Sequence, residues 1–180
     1  TLSDLLEIAH NCRVPYVVAC ALQDDEQKVK AALECLLEKA EKLDVGILLK
    51  TSGIYADTAR LRCMLDQFAS DHLGALWDVH HPYRDFGESA DATIKNLGYY
   101  VRHVHLRDSD DTGAYQLIGE GTMPIDDVMR ALSSVNYDGF ISLEWKPEWL
   151  EDLQDREIIF PYYVNYMSRF HSTRGMKKNL

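Results

Sequence analysis

The chain repeats one pattern five times: a short, mostly apolar run, then a stretch with helical spacing. The runs are Tyr16 to Leu22, Gly46 to Lys50, Gly74 to Val79, Val101 to Arg107 and Gly139 to Glu144. Continuous apolar runs such as YVVACAL and GILLK suit strands buried on both faces. The intervening segments Asp24 to Leu43, Ala56 to Asp71, Ser89 to Tyr100 and Pro124 to Ser134 are predicted helices, with Pro124 suited to a first helical turn. A further helix is expected before the first strand, where Leu5, Ile8, Ala9 and Cys12 share a face and Ser3 is placed as the N-cap. Two more segments, Trp149 to Asp155 and Ile158 to Arg169, close the chain. Strands and helices alternating through short connections argue for a parallel sheet covered by helices. Alternation alone leaves a doubly wound sheet and a (β/α)8 barrel equally open.

The polar residues fall where such folds carry chemistry. Lys50, Asp78 and Glu144 each end an otherwise apolar strand, and His105 lies near the end of another. In parallel α/β folds the strand fixes the side chain there and the following loop leaves room for a ligand. His103, His105 and Arg107 share strand parity, as do Asp78 and His80. An Asp, a His and a Glu on separate strand ends form a mixed N/O set suited to Mn²⁺, Mg²⁺, Co²⁺ or Zn²⁺, or else a set of packed histidines and ion-paired carboxylates. No GxGxxG or GxxxxGK[ST] loop follows the first strand, which weakens a nucleotide-binding reading.

Composition narrows the partners. With 19 Lys plus Arg against 29 Asp plus Glu, the net charge of −10 would repel nucleic acid. No apolar run is long enough to span a bilayer, and the opening TLSDLLEIAHNC lacks the basic start and apolar stretch of a signal peptide, so no membrane partner and a cytoplasmic location are expected. Cys12, Cys20, Cys35 and Cys63 form no CxxC pair and are expected to be reduced core or near-surface thiols.

The stretches LWDVHHPYRDFGES, VRHVHLRDSD, YQLIGEGTMPIDDVMRAL and YDGFISLEWKPEW resemble successive segments of the sugar phosphate isomerase/epimerase family, the xylose-isomerase-like or endonuclease-IV-like TIM barrels. The resemblance covers nearly the whole chain and implies a TIM barrel of the xylose-isomerase-like type, with a divalent metal held at the ends of its later strands. By that resemblance Asp78, His105 and Glu144 are metal ligands, and His81 and Arg107 lie where relatives touch substrate. Trp145 and Lys146, next to Glu144, are candidate substrate-binding residues, although Trp77, Trp145 and Trp149 also suit packing. The Gly119-Glu120-Gly121 turn resembles a family Gly-Glu-Gly turn, its glycines serving an unusual backbone and Glu120 a lesser candidate for facing ligand.

One position departs from the family. Lys50 stands where the first metal-binding Glu is usual, and a protonated ammonium is a donor only. Three readings of Lys50 stay open: a catalytic base or Schiff-base nucleophile, a marker of a degenerate non-catalytic barrel or module, and a structural salt bridge to Asp78 or Glu144. The expected activity is metal-assisted proton transfer on a small sugar, sugar phosphate or polyol, with Glu144 and Lys50 as catalytic candidates. A Lys-dependent lyase or dehydratase is the Schiff-base variant. Endonuclease-like DNA repair is disfavoured by the acidic charge.

A complete (β/α)8 barrel takes roughly 200 to 250 residues or more, so 180 residues with five strand–helix units read as strands four to eight of one partial barrel over residues 1–170, followed by a basic tail, 171–180. The start at Thr1 without Met fits a piece of something longer. Its two edge strands would be apolar and exposed, so a homo-oligomer or the remainder of a longer chain is expected to cover them.

Overall fold

A computed structural model describes residues 1–21, 25–145 and 156–175, the last five of these for backbone only. The order is α1 (Leu2–Asn11), β1 (Tyr16–Ala19), α2 (Glu26–Leu43), β2 (Gly46–Lys50), a 3₁₀ turn (Gly53–Ala56), α3 (Thr58–Leu65), β3 (Leu73–Asp78), α4 (His80–Phe86), α5 (Ala90–Leu97), β4 (Val101–Leu106), β5 (Asp108–Ser109), β6 (Tyr115–Gln116), α6 (Ile125–Ser134), β7 (Ile141–Leu143) and α7 (Arg156–Gly175). Five parallel strands in the order β1-β2-β3-β4-β7 form a half-barrel, with β5 and β6 a separate antiparallel pair. All five predicted strands are present: β2 keeps its predicted bounds, β3, β4 and β7 differ by a residue or two at one or both ends, and β1 stops at Ala19, three residues short. The predicted helix Trp149 to Asp155 lies outside the described residues, as do Leu22, Gln23, Asp24, Lys146 and residues 176–180.

Local chemistry sets the helix boundaries. Asp25 caps α2, its carboxylate accepting from the Lys28 N–H, and Asp57 caps α3 in the same way through Arg60. The helix predicted over Ala56 to Asp71 is shorter: the Asp57 cap starts α3 at Thr58, just after the 3₁₀ turn, and α3 ends at Leu65. Ser89 caps α5, and Pro124 directly precedes α6 rather than opening it. At the N-terminus the cap is Thr1, not Ser3, because Thr1 and Asp4 make a reciprocal capping box. Helix α7 runs through Pro161 as one piece.

Strand parity divides the sheet. Val17, Ile47, Leu49, Ala75, Trp77, Val104 and Leu106 pack with Leu6, Leu33, Leu37, Leu61, Leu97 and Leu132 from the helices in one core. The alternate residues Leu48, Lys50, Leu76, Asp78, His103 and His105 belong to the other face. Strands β2 and β3 are buried almost throughout, whereas the edge strands β1 and β7 are partly exposed. Cys12, Cys20, Cys35 and Cys63 are free and exposed, outside the core. Cys35 and Cys63 lie on α2 and α3, Cys12 caps the end of α1 and Cys20 follows β1, so the near-surface half of the expectation holds for all four.

Candidate active site at the strand ends

Parallel register lines up the ends of the central strands: Lys50 pairs with Leu76 across β2 and β3, and Asp78 with His105 across β3 and β4. Thr51 fastens this level. Its hydroxyl donates to the Asp78 carbonyl at 3.0 Å and accepts from the Asp78 N–H at 2.9 Å. Both groups are fully buried, so the reciprocal pair satisfies backbone that water cannot reach.

Around that level four charges meet. Lys50 Nζ lies 2.8 Å from Asp78 Oδ2 and 3.0 Å from Glu144 Oε1. Arg107 lies 3.5 Å from Asp78 Oδ2 through Nη2 and 3.3 Å from Glu144 Oε2 through Nη1. Asp78 is wholly buried, while the Glu144 side chain keeps 16% exposure. Two cations and two carboxylates balance, and buried charges persist only when balanced in this way. Burial pulls the Lys50 ammonium down, but Asp78 and Glu144 hold it above its ordinary range. Burial raises the Asp78 carboxyl, and Arg107 and Lys50 outweigh it, leaving the group below the usual carboxylate range.

His81 is held from two sides. Arg107 Nη2 contacts its Nε2 at 2.8 Å and Asp85 Oδ2 its Nδ1 at 2.6 Å. A guanidinium can only donate, so Nε2 accepts and the proton sits on Nδ1, donated to Asp85. His105 Nδ1 is buried with no hydrogen-bond partner, and burial, helped by Lys50 and Arg107, outweighs the Glu144 and Asp78 carboxylates and pushes the ring's basicity down. His103 instead contacts the Ser142 hydroxyl at 2.8 Å, tying β4 to β7 as a packed histidine. Tyr115 lies with its ring 5.2 Å from the Arg107 guanidinium.

A cleft of about 320 Å³, with Arg107, Tyr115, Glu144, Trp145, Tyr162 and Tyr163 among its walls, opens beside this cluster. Glu120 is turned away from it: the side chain is exposed and accepts from the Tyr162 hydroxyl.

Lys50, Asp78, His81, Arg107 and Glu144 are thus together, with His105 beside them and Trp145 on the cleft wall; Lys146 lies outside the described residues. Sequence reasoning missed Thr51, Asp85 and Tyr115, and it placed His80 on the strand beside Asp78, whereas β3 ends at Asp78 and His80 opens α4. Asp85 carried a signal in its i+4 spacing from His81, hidden because the segment after β3 was not read as a helix.

The donor set between Asp78 and Glu144 does not fit a divalent metal, because an ammonium already sits within contact of both carboxylates. The metal ligands expected at Asp78, His105 and Glu144 therefore include two groups committed to Lys50. Among the described residues, His80, His81 and Asp85 are the group whose ligand atoms all lie within 4.8 Å of one another.

The family model described as xylose isomerase-like TIM barrel matches residues 1–159. Fructoselysine 3-epimerase of Escherichia coli O157:H7 is 27% identical over 115 residues, covering 61% of this chain and 42% of that protein. Among solved structures, an L-ribulose 3-epimerase superposes with a TM-score of 0.79 at 16% identity, covering 98% of this chain and 67% of the other. A structure of the IOLI protein with a zinc atom superposes with a TM-score of 0.72 at 20% identity, covering 92% of this chain and 66% of the other. The chain spans about two fifths of the length of the curated epimerase and about two thirds of these solved chains.

Proposed function

The chain belongs to the xylose isomerase-like TIM barrel family, and from that premise we propose that its strand-end cluster binds a small sugar and moves a proton beside the sugar's carbonyl group. The observation that carries this reading is the convergence of Glu144, Lys50 and Arg107 at the edge of a solvent-open cleft. Glu144 is the carboxylate of the pair with solvent access, whereas Asp78 is 0% exposed and serves to anchor the cations. Glu144 takes the proton from the carbon next to the carbonyl. The oxygen that gains negative charge meets the ammonium of Lys50 and the guanidinium of Arg107, cations already in place before the reaction. Glu144 then returns the proton to the neighbouring carbon, and the hydroxyl proton passes between the two oxygens, so no atom is gained or lost.

One base working on one face suits interconversion of an aldose and a ketose. Inversion of a stereocentre needs a second base on the opposite face, and Lys50 occupies the strand end from which the resemblance would have supplied it. His81, fixed by Asp85, is a positioning residue for Arg107. The raised basicity of Lys50 disfavours the Schiff-base variant, which requires a neutral amine.

The test is solvent deuterium. A panel of small ketoses and other α-hydroxy carbonyl compounds incubated with the protein in D₂O should acquire deuterium at the carbon beside the carbonyl, read by NMR. Glu144→Gln should slow this by about 10²-fold or more. A second reading, binding without turnover, draws on both Glu144 oxygens being engaged by cations. Sugar binding with no deuterium uptake from any compound would select it.

A further inference from the structure

We propose that Lys50 is a built-in cation: its ammonium takes the position a divalent metal would occupy between Asp78 and Glu144, and excludes one. The role given to this cation toward a sugar oxygen rests on the reading above; its exclusion of a metal does not. Lys50 ends β2 at the level of Asp78, and Thr51 locks the two strand ends together. Its stem is packed, leaving 13% of the side chain exposed, and its nitrogen reaches both carboxylates at 2.8 Å and 3.0 Å. An ammonium carries three donors. One is donated to Glu144 Oε1 while the nitrogen stays in ion-pair contact with Asp78 Oδ2, which leaves donor capacity for a ligand oxygen.

Charge decides the competition. With Lys50 and Arg107 present, the two carboxylates are already neutralised, and a divalent ion would add two positive charges to a buried site that balances without them. The metal would also have to take oxygens from an ammonium that cannot ligate it. His105, in register with Asp78 on the next strand, has its Nδ1 buried without a hydrogen-bond partner, and with Asp78 and Glu144 held by Lys50 it does not complete a three-donor set.

This organisation gives the site a cation that chelators cannot remove. It also accounts for its balance of charge: replacing Lys50 by a neutral or acidic residue leaves Asp78 and Glu144 short of a counter-ion and opens the position to a metal.

The experiment is calorimetric titration with Mn²⁺ alone, on the wild-type chain, Glu144→Gln, Lys50→Glu, Lys50→Gln and Lys50→Glu combined with Glu144→Gln. Lys50→Glu should bind one equivalent at least about tenfold more tightly than wild type, since even loss of a supporting group around a metal typically costs about 10- to 100-fold. Adding Glu144→Gln should abolish that gain. Lys50→Gln, which adds no new carboxylate to strain folding, should also bind more tightly than wild type and answers the question if Lys50→Glu does not fold. Wild-type binding as tight as in either Lys50 variant, and lost in Glu144→Gln, would overturn the proposal. The readout involves no sugar, so a failure of the proton-transfer reading, seen as absent deuterium uptake, remains distinct from a failure here.

Discussion

His80 sits two residues past the Asp78 strand end, 6% exposed, with Nε2 against the Ser109 hydroxyl at 3.1 Å. Burial pushes its imidazole down to about 4, helped by Arg107, His81 and Arg84 and opposed only by Asp85. The unfolded chain therefore takes up a proton near pH 6.5 that the folded chain refuses. Stability from this residue is complete above pH 6.5 and lost progressively as the pH falls toward 4. Urea unfolding at pH 7 and pH 4.5 should show a larger loss for wild type than for His80→Gln, which keeps a polar side chain near Ser109. Equal losses would assign the acid sensitivity elsewhere. At this scale the sequence made the site largely readable, because Lys50, Asp78, His105 and Glu144 each interrupt an apolar strand at its end. Thr51 was invisible: a Thr after a strand is common, and its worth comes from a partner 27 residues away.

Among the elements, the β5–α6 connection shows a loop made rigid by one side chain. Asp108 is 2% exposed and accepts from four backbone N–H groups, those of Ser109, Gly119, Gly121 and Met123. Gly119 has φ +86° and lies against the Tyr166 ring, while a Cβ at Gly121 would come within 2.2 Å of Asp108 Oδ1, so both positions require glycine. Asp108→Asn removes the Oδ2 acceptor shared by Gly119 and Gly121. Gly119 is exposed and Gly121 half-buried, so water can take over part of the role, and losing the two charge-assisted bonds should cost about 1 to 3 kcal/mol in chemical denaturation; a loss under about 0.5 kcal/mol would show that the loop holds without the clasp. The Gly-Glu-Gly turn was legible as a backbone device, but its clasp depends on a tertiary approach that spacing does not encode. Helix α4 and the β5–β6 hairpin escaped notice for a different reason: seven residues reading HHPYRDF, with Pro82 in the first turn, and two-residue strands are too short to establish a period.

In the whole molecule, five parallel strands deliver the charged residues to one end of a half-barrel, and the acidic surface, net −10, surrounds a site whose own four charges cancel. The strand order was readable from alternation and family resemblance together. Occupation of the cluster was not, because the same strand-end residues can hold a metal or hold one another, and only geometry shows Lys50 between Asp78 and Glu144. Edge strands β1 and β7 leave Val18 at 43% exposure and neighbouring Phe140 at 80%, placing the unpaired backbone of the sheet at its two sides, away from the buried β2 and β3 centre. The account stands or falls on what lies between the two carboxylates when sugar and metal are both offered. Crystals soaked with a ketose and Mn²⁺, measured at the manganese absorption edge, should show a sugar oxygen within hydrogen-bond distance of Lys50 Nζ and no anomalous peak between Asp78 and Glu144; a peak at ligand distance from both carboxylates would contradict it.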